Sequence, residues 1–289
     1  MPLTTPPPTT STDARPEADA ETGLLRPRVA MVLGVATLAA LTALAILGLA
    51  VAPPDAVQGD AQRLMYLHVP AAWLAYLAFA VTAGASALWL WSRTRAATWD
   101  RLAGASAELG VLFTALTLVL GSLWGRPVWG VWWAWDARLV TTAVLFFLYV
   151  GYLALRRIPG PGRERRSAIA ALIAFVDVPV VHFSVEWWRT LHQQGTVFNE
   201  ELSAEIEGTM AFTLWFAVLA FTLLYVYLLD RRYRLGALEE GMERRELDAA
   251  IAERLAEAPG RAVEAAARAA ETARRRAEAD VEPVGGAPR

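Results

Sequence analysis

The sequence predicts an all-α, multi-pass membrane protein with six transmembrane helices. Hydrophobic residues make up 55% of the 289 residues and charged residues only 19%. The apolar residues are concentrated in blocks, and short arginine-containing segments separate the blocks. A bilayer core of about 30 Å is crossed by about 20 helical residues, so blocks of this length indicate membrane spans.

Six apolar stretches justify the six predicted spans. They cover approximately residues 29–52, 71–91, 102–123, 139–155, 168–181 and 210–229. The first stretch is too long for the core of a signal peptide and is expected to be retained as a span. The fourth and fifth are short for a bilayer crossing and are expected to continue at the outer surface. An even number of spans places both termini on the same side.

The arginines predict which side this is. Thirteen arginines lie near span ends on the side of the termini and four lie on the opposite side. The first group is Arg26, Arg28, Arg93, Arg95, Arg101, Arg156, Arg157, Arg163, Arg165, Arg166, Arg231, Arg232 and Arg234, and the second is Arg63, Arg126, Arg138 and Arg189. Positive residues are retained on the cytoplasmic side, so both termini are predicted to be cytoplasmic. The loops 53–70, 124–138 and 182–209 then face outward.

The two ends of the chain differ in composition from the membrane domain, which is predicted to cover residues 25–235. Residues 1–24 hold five prolines and six threonines with little apolar content, which is typical of a disordered tail. Residues 236–289 are rich in Ala, Glu and Arg and are predicted to form a cytoplasmic helical tail, divided at Pro259-Gly260.

Composition also excludes several classes of function. The chain has no cysteine, so it carries no disulfide, no thiolate metal cluster and no covalent attachment site for a c-type haem. Its net charge of −2 gives no basic field for nucleic acid. It has no glycine-rich phosphate loop, so we expect that this chain does not itself hydrolyse ATP.

Five of the twelve tryptophans lie in one predicted outward segment, 124–139. They are Trp124, Trp129, Trp132, Trp133 and Trp135. An interfacial aromatic belt is one interpretation, but a belt would distribute tryptophans among many helix ends on both faces. A stacking platform for a flat aromatic ligand is the other, and it is favoured by the clustering. Residues 125–127 read as a turn, and the spacing from Trp129 to Asp136 predicts one face of a short helix.

The three histidines, His68, His182 and His192, all lie in outward loops or at outer span ends. A single such histidine is usually solvated, but two imidazoles beside an aromatic platform suit the axial ligation of haem iron. Arg138 could pair with a ligand carboxylate. Asp177 and Glu108 are the intramembrane carboxylates, and both are expected close to an interface, which gives a proton relay little support.

Three stretches of the sequence resemble one known family. The segment 124–139 is similar to the tryptophan-rich WWD segment of haem-handling proteins, and the stretches 65–73 and 183–192 agree with it. Over residues 30–230 the chain resembles the six-span CcmC family, also called HelC or haem exporter protein C, of bacterial cytochrome c maturation.

The resemblance implies a function and a site. Its members hold haem b transiently and non-covalently at the outer, periplasmic face of the inner membrane and deliver it to the haem chaperone CcmE, beside CcmA, CcmB and CcmD. The family's axial ligands correspond to His68 and His192, while His182 has no assignment. The five tryptophans would form the bed, that is, the aromatic surface on which the haem macrocycle stacks, and Asp136 would contribute to the site. Gly125 and Gly130 would allow close approach, and Arg138 or Arg126 would face the propionates.

Two alternatives remain open. A secondary transporter that moves haem or another solute would need a polar pathway and broken helices at the midplane. A cytochrome c synthase module of the same superfamily would be larger, with more spans and additional intramembrane histidines.

Overall fold

The computed structural model describes residues 23–91, 96–192 and 208–279. Residues 1–22 of the predicted N-terminal tail lie outside these ranges, as do residues 193–207 of the third outward loop and residues 280–289. Within the described ranges the chain is helical and contains no β-strand.

Seven α-helices are described, and two short helical turns connect the first two of them. They are α1 (Pro27–Ile46), α2 (Met65–Leu90), α3 (Ala97–Trp129), α4 (Ala137–Arg156), α5 (Arg163–Phe175), α6 (Asp177–Trp187) and α7 (Gly208–Ala279). A π-helical turn, Leu47–Val51, extends α1, and a 3-10 turn, Asp60–Leu64, leads into α2. Six helical elements in the described chain are long and apolar enough to cross a membrane, which confirms the predicted fold class.

The fifth crossing differs from the prediction. Helices α5 and α6 follow one another as a single element of 25 residues, Arg163–Trp187, so this crossing is not short. The element is interrupted at Val176, because Pro179 has no N–H to donate to the Phe175 carbonyl one turn earlier. Asp177 therefore lies near the middle of the element, ten residues before Trp187, and not close to an interface as predicted.

Helices α2 and α3 pack closely against each other and form the centre of the bundle. Gly110 on α3 faces the ring of Phe79, and a Cβ at that position would lie 2.4 Å from the ring. The same ring stacks on Tyr149 of α4, with centroids 3.7 Å apart. The hydroxyl of Ser106 donates to the Ala78 carbonyl at 2.7 Å. Small residues on α3 therefore allow the aromatic side chains of α2 and α4 to fill the core.

Charged residues at the end of the bundle opposite the tryptophan-rich loop are paired. Asp100, only 7% exposed, accepts hydrogen bonds from Arg156 at 2.7 and 2.9 Å and from Arg163 at 3.1 Å. Glu108 accepts a hydrogen bond from Arg232 of α7 at 2.9 Å. These contacts join the ends of α3, α4, α5 and α7, and they give Glu108 a structural partner.

The chain divides into two compact units, residues 1–237 and 238–289. In the second unit the described residues continue α7 as helix to Ala279. The helix runs through residues 259 and 260, so the predicted division there is wrong. The proline removes one main-chain hydrogen bond, and water can satisfy the freed carbonyl in a helix whose residues 246–256 are exposed.

Candidate functional site

Most of the residues that the sequence predicts for the site line one cavity. It has a volume of about 530 Å³, within the range of roughly 300–1,000 Å³ that is typical of cofactor sites. Helices α2, α3, α4 and α7 contribute to its wall, together with the segments that join the helices at this end. Among the residues that line it are His68, His182, His192, Trp124, Trp129 and Trp133.

His68 enters the cavity from the first turn of α2. Its ring lies edge-on to the indole of Trp124, with centroids 5.8 Å apart and an angle of 72° between the planes. Gly121 on α3 faces the imidazole, and a Cβ at this glycine would lie 2.9 Å from Cε1. The Trp124 Nε1–H donates to Oε1 of Gln58, in the first interhelical segment, at 2.9 Å. The imidazole therefore has defined packing on two sides.

His192 approaches from the segment that follows α6. Its ring lies edge-on to Trp129, with centroids 5.1 Å apart and an angle of 61°. The Trp129 ring itself lies against Gly125, where a Cβ would come within 3.1 Å of it. Each of these two histidines is thus paired with one tryptophan from the last two turns of α3.

Both imidazoles have a free ring nitrogen. Among the residues that the structure describes, neither Nδ1 of His68 nor Nδ1 of His192 has a hydrogen-bond partner, although both atoms are buried. Burial, and then repulsion from Arg138, lowers the pKa of His192 to about 4, against a smaller opposing effect of Asp136. His192 is therefore neutral at physiological pH, which is the form that ligates iron. Two imidazoles that each have an unpartnered, buried Nδ1 within the described chain, in one aromatic cavity, fit the axial ligation of haem.

The two candidate arginines lie in different environments. Arg138 lines the cavity, and its Nη2 donates to the main-chain carbonyl of His182 at 2.7 Å. Arg126 donates to the Gly130 carbonyl and lies over the ring of Trp132, 6.0 Å from its centroid. Only Arg138 lines the described cavity.

The tryptophan-rich segment is built differently from the prediction. Residues 125–127 belong to α3, which ends only at Trp129, so they do not form a turn. Gly130 then adopts a left-handed conformation, φ 79°, and ends the helix. Residues 131–136 are not helical, so the predicted short helix from Trp129 to Asp136 is wrong and its helical spacing does not apply.

The irregular segment separates the five tryptophans. Trp124, Trp129 and Trp133 line the cavity, whereas Trp132 and Trp135 are not part of the described lining. They are 57% and 85% exposed, respectively. Three of the five indoles therefore line the described cavity.

Gly130 and Asp136, two further residues predicted for the site, determine the backbone conformation of this segment and do not line the described cavity. Gly130 has a left-handed φ of 79°, which favours glycine, and a Cβ there would meet no atom of the described chain within 4 Å. Asp136 is the N-cap of α4 and accepts a hydrogen bond from the Leu139 N–H at 2.9 Å. Its other oxygen accepts from the Leu191 N–H at 3.1 Å.

Sequence reasoning missed Gln58, Tyr76 and Gly121, all of which line the cavity. Gln58 and Gly121 precede the tryptophans and carry no chemical signature of their own. Tyr76 lies three turns along α2 and is in edge contact with His182, with centroids 6.3 Å apart. A helical projection of α2 through His68 would place positions 72, 75 and 76 on the same face, and this was the signal available.

The fold and the site define a class: a multi-pass helical membrane protein with an aromatic cavity, lined by three histidines, at one end of its bundle. The family model "CcmC: Heme exporter protein C" matches residues 16–248. Heme exporter protein C of Escherichia coli K12 is 40% identical over 201 residues, which are 66% of this chain and 78% of that protein. The protein of the same name from Bradyrhizobium diazoefficiens is 41% identical over 182 residues, 62% of this chain and 68% of the relative.

A ccmC-like mitochondrial protein of cytochrome c biosynthesis from Arabidopsis thaliana is also similar, with 36% identity over 210 residues, 72% of this chain and 80% of the relative. The chain belongs to the CcmC, haem exporter protein C, family. Its role is accordingly in haem handling for cytochrome c biogenesis, as a membrane component of a haem delivery system.

Proposed function

We propose that the chain binds haem b non-covalently in the described cavity and gives it up to an acceptor. His68 and His192 are the axial ligands, and the indoles of Trp124, Trp129 and Trp133 form the bed. The observation that carries this proposal is the pair of imidazoles, each edge-on to an indole of α3, whose buried Nδ1 atoms have no hydrogen-bond partner among the described residues.

Each group in the cavity has a separate task. The imidazoles supply neutral nitrogen ligands to iron, and the indoles bury the faces of the macrocycle. Arg138 faces a propionate, because its guanidinium is held at the wall by the His182 carbonyl and has further donors in its fork. The chain has no cysteine, so it cannot form the thioether bonds of a c-type haem, which suits a haem that is later given up.

The proposed site lies on the outer side of the bacterial inner membrane, and both termini lie in the cytoplasm. The distribution of arginines supports this orientation, with thirteen near span ends on the side of the termini and four on the other side. An outward site suits delivery to the chaperone CcmE within an assembly that includes CcmA, CcmB and CcmD. We also propose the limits of the domains: the membrane domain covers residues 25–235, and the cytoplasmic tail covers residues 236–289.

The experiment is an absorption spectrum of the protein purified in detergent from haem-sufficient cells. The wild type is expected to show a Soret band of six-coordinate haem, and His68→Ala and His192→Ala are each expected to lose the six-coordinate spectrum. His182→Ala is the matched control, because it removes a third imidazole from the same cavity without removing a proposed ligand. Unchanged spectra in both ligand variants would contradict the proposal.

One observation favours the alternative of a secondary transporter for haem or another solute. Asp177 lies near the middle of the interrupted element Arg163–Trp187, and its Oδ2 is buried without a partner among the described residues. Broken helices with a carboxylate at this depth are typical of transporters. Haem uptake into liposomes that contain only this chain, abolished by Asp177→Asn, would support transport, whereas no uptake would leave haem binding as the function.

A further inference from the structure

The two oxygens of the Asp136 carboxylate bind main-chain N–H groups from different segments. Oδ1 accepts from Leu139 at 2.9 Å, which caps the N-terminus of α4. Oδ2 accepts from Leu191 at 3.1 Å, across a separation of 55 residues in the sequence. The carboxylate therefore fixes the segment that follows α6 to the start of α4.

The second of these bonds stands next to a proposed haem ligand. Leu191 directly precedes His192, so holding the Leu191 N–H limits where the following Cα can lie. The local contact in this segment, from the Thr190 hydroxyl to the His192 carbonyl at 3.0 Å, does not reach beyond the segment. A cross-segment bond is needed to keep the imidazole against Trp129, which lies on α3.

The start of α4 is a rigid point for this attachment. Arg138, two residues after Asp136, donates to the His182 carbonyl of α6 at 2.7 Å. The N-terminus of α4 is thus bound on one side to α6 and on the other to the segment that leaves α6. Asp136 itself is not part of the described cavity lining.

We propose that Asp136 is a positioning residue that holds His192 in the cavity as an axial ligand and does not itself contact haem. This rests on the proposed function, because it assumes that His192 ligates the iron. The carboxylate is needed for its two acceptor oxygens, one for the cap and one for the Leu191 N–H. A side chain with one acceptor can satisfy only one of the two.

Asp136→Asn separates these two tasks. Asparagine caps helices about as well as aspartate, so its carbonyl can retain the Leu139 N–H, while its amide nitrogen cannot accept from Leu191. We expect the purified variant to retain haem through His68 and the indole bed, but to lose the six-coordinate, low-spin spectrum in most of the bound haem. Added imidazole should restore that spectrum, because the position opposite His68 is open.

Glu186→Gln is the matched control. It makes the same change from carboxylate to amide at an exposed position of α6, and it should leave the spectrum unchanged. Asp136→Ser, which keeps a capping oxygen, is the second variant and should behave like Asp136→Asn. If Asp136→Asn does not accumulate in the cell, the absorption spectrum of Asp136→Ser tests the proposal instead. If neither variant accumulates, the proposal is overturned, because Asp136 is then required for folding.

The remaining outcomes separate this proposal from the proposed function. A wild-type spectrum in Asp136→Asn, while His192→Ala has lost its six-coordinate haem, would overturn the positioning role and leave the haem function standing. Complete loss of haem that imidazole does not restore would also overturn it, because Asp136 would then act on more than His192. If His192→Ala keeps the wild-type spectrum, the ligand assignment in the proposed function is wrong, and the inference falls with it.

Discussion

Gly121 has no side chain, and this leaves the space that the His68 imidazole occupies. A Cβ at this position would lie 2.9 Å from Cε1 of the ring, closer than non-bonded carbon atoms pack. The ring is the free end of a side chain, so it would rotate away while the helix remained intact. The glycine is thus a determinant of where a proposed ligand points.

We therefore predict that Gly121→Ala weakens haem retention by about tenfold, equivalent to about 1.4 kcal/mol, without reducing thermal stability. The measurement is haem content per protein after dilution, together with a thermal unfolding curve. Gly151→Ala is the control, because a Cβ there would meet no described atom within 4 Å. Equal haem retention in the two variants would refute this role for Gly121.

Gln58 is a second position that acts on the site through a neighbour. Its Oε1 accepts from Trp124 Nε1–H at 2.9 Å and so orients the indole that contacts His68. Gln58→Leu should leave the indole N–H unpaired at a cost of about 1 kcal/mol and lower haem affinity several-fold. Gln58→Glu keeps an acceptor and should retain the affinity of the wild type. Haem titration of the apoprotein measures both, and an unaffected Gln58→Leu variant would argue against the hydrogen bond.

At the scale of helices, Asp100 joins three elements at the end of the bundle opposite the cavity. Its side chain, 8% exposed, binds the guanidinium groups of Arg156 on α4 and Arg163 on α5. Removing one partner of a buried ion pair costs about 3–5 kcal/mol, because the other charge is left without compensation. The cluster is therefore a point where a single change should loosen several helices together.

We predict that Asp100→Ala lowers the apparent thermal midpoint of the detergent-solubilised protein by about 10 °C. Asp100→Ala combined with Arg156→Met should be less harmful than Asp100→Ala alone, because the uncompensated charge is also removed. Glu271→Gln, which breaks an exposed i, i+4 pair, is the control and should change the midpoint little. Tryptophan fluorescence during heating measures all three, and equal midpoints in Asp100→Ala and the control would contradict this account.

The helical elements were predictable to different degrees. The six spans could be predicted from local composition, because a helix that crosses the bilayer must be apolar over most of its length. The extent of the fifth could not, because this element begins in the polar stretch at Arg163 and is interrupted at Val176, between α5 and α6. Segment 131–136 has no regular period, so spacing could not show that Trp133 lines the cavity while Trp135 does not.

Capping chemistry was a second unused signal in the candidate site, beside the helical projection of α2. An aspartate three residues before the apolar run that begins at Leu139 is a typical N-cap, and Asp136 is one. Its second bond, to the Leu191 N–H, depends on tertiary contact between segments 55 residues apart and could not be derived from spacing. The histidines, by contrast, are chemically distinctive, and their number alone limited the possible ligand pairs.

At the scale of the whole molecule, the absence of cysteine makes the proposed orientation directly measurable. Val57, 94% exposed, lies in the segment before α2, and Ile158, 54% exposed, lies in the segment after α4. With an outward site, Val57→Cys should react with a membrane-impermeant maleimide in intact spheroplasts. Ile158→Cys should react only after permeabilisation, and the wild type gives no background. The reverse pattern would place the site in the cytoplasm.

The two imidazole–indole pairs also determine when during biosynthesis the cavity can exist. His68 and Trp124 emerge early, whereas His192 follows His68 by 124 residues, after the fifth crossing. A nascent chain therefore presents one imidazole and the bare end of α3 until residue 192 has left the ribosome. Under the proposed function, two-ligand capture of haem is confined to chains synthesised past residue 192, so a shorter nascent chain cannot hold haem through both ligands.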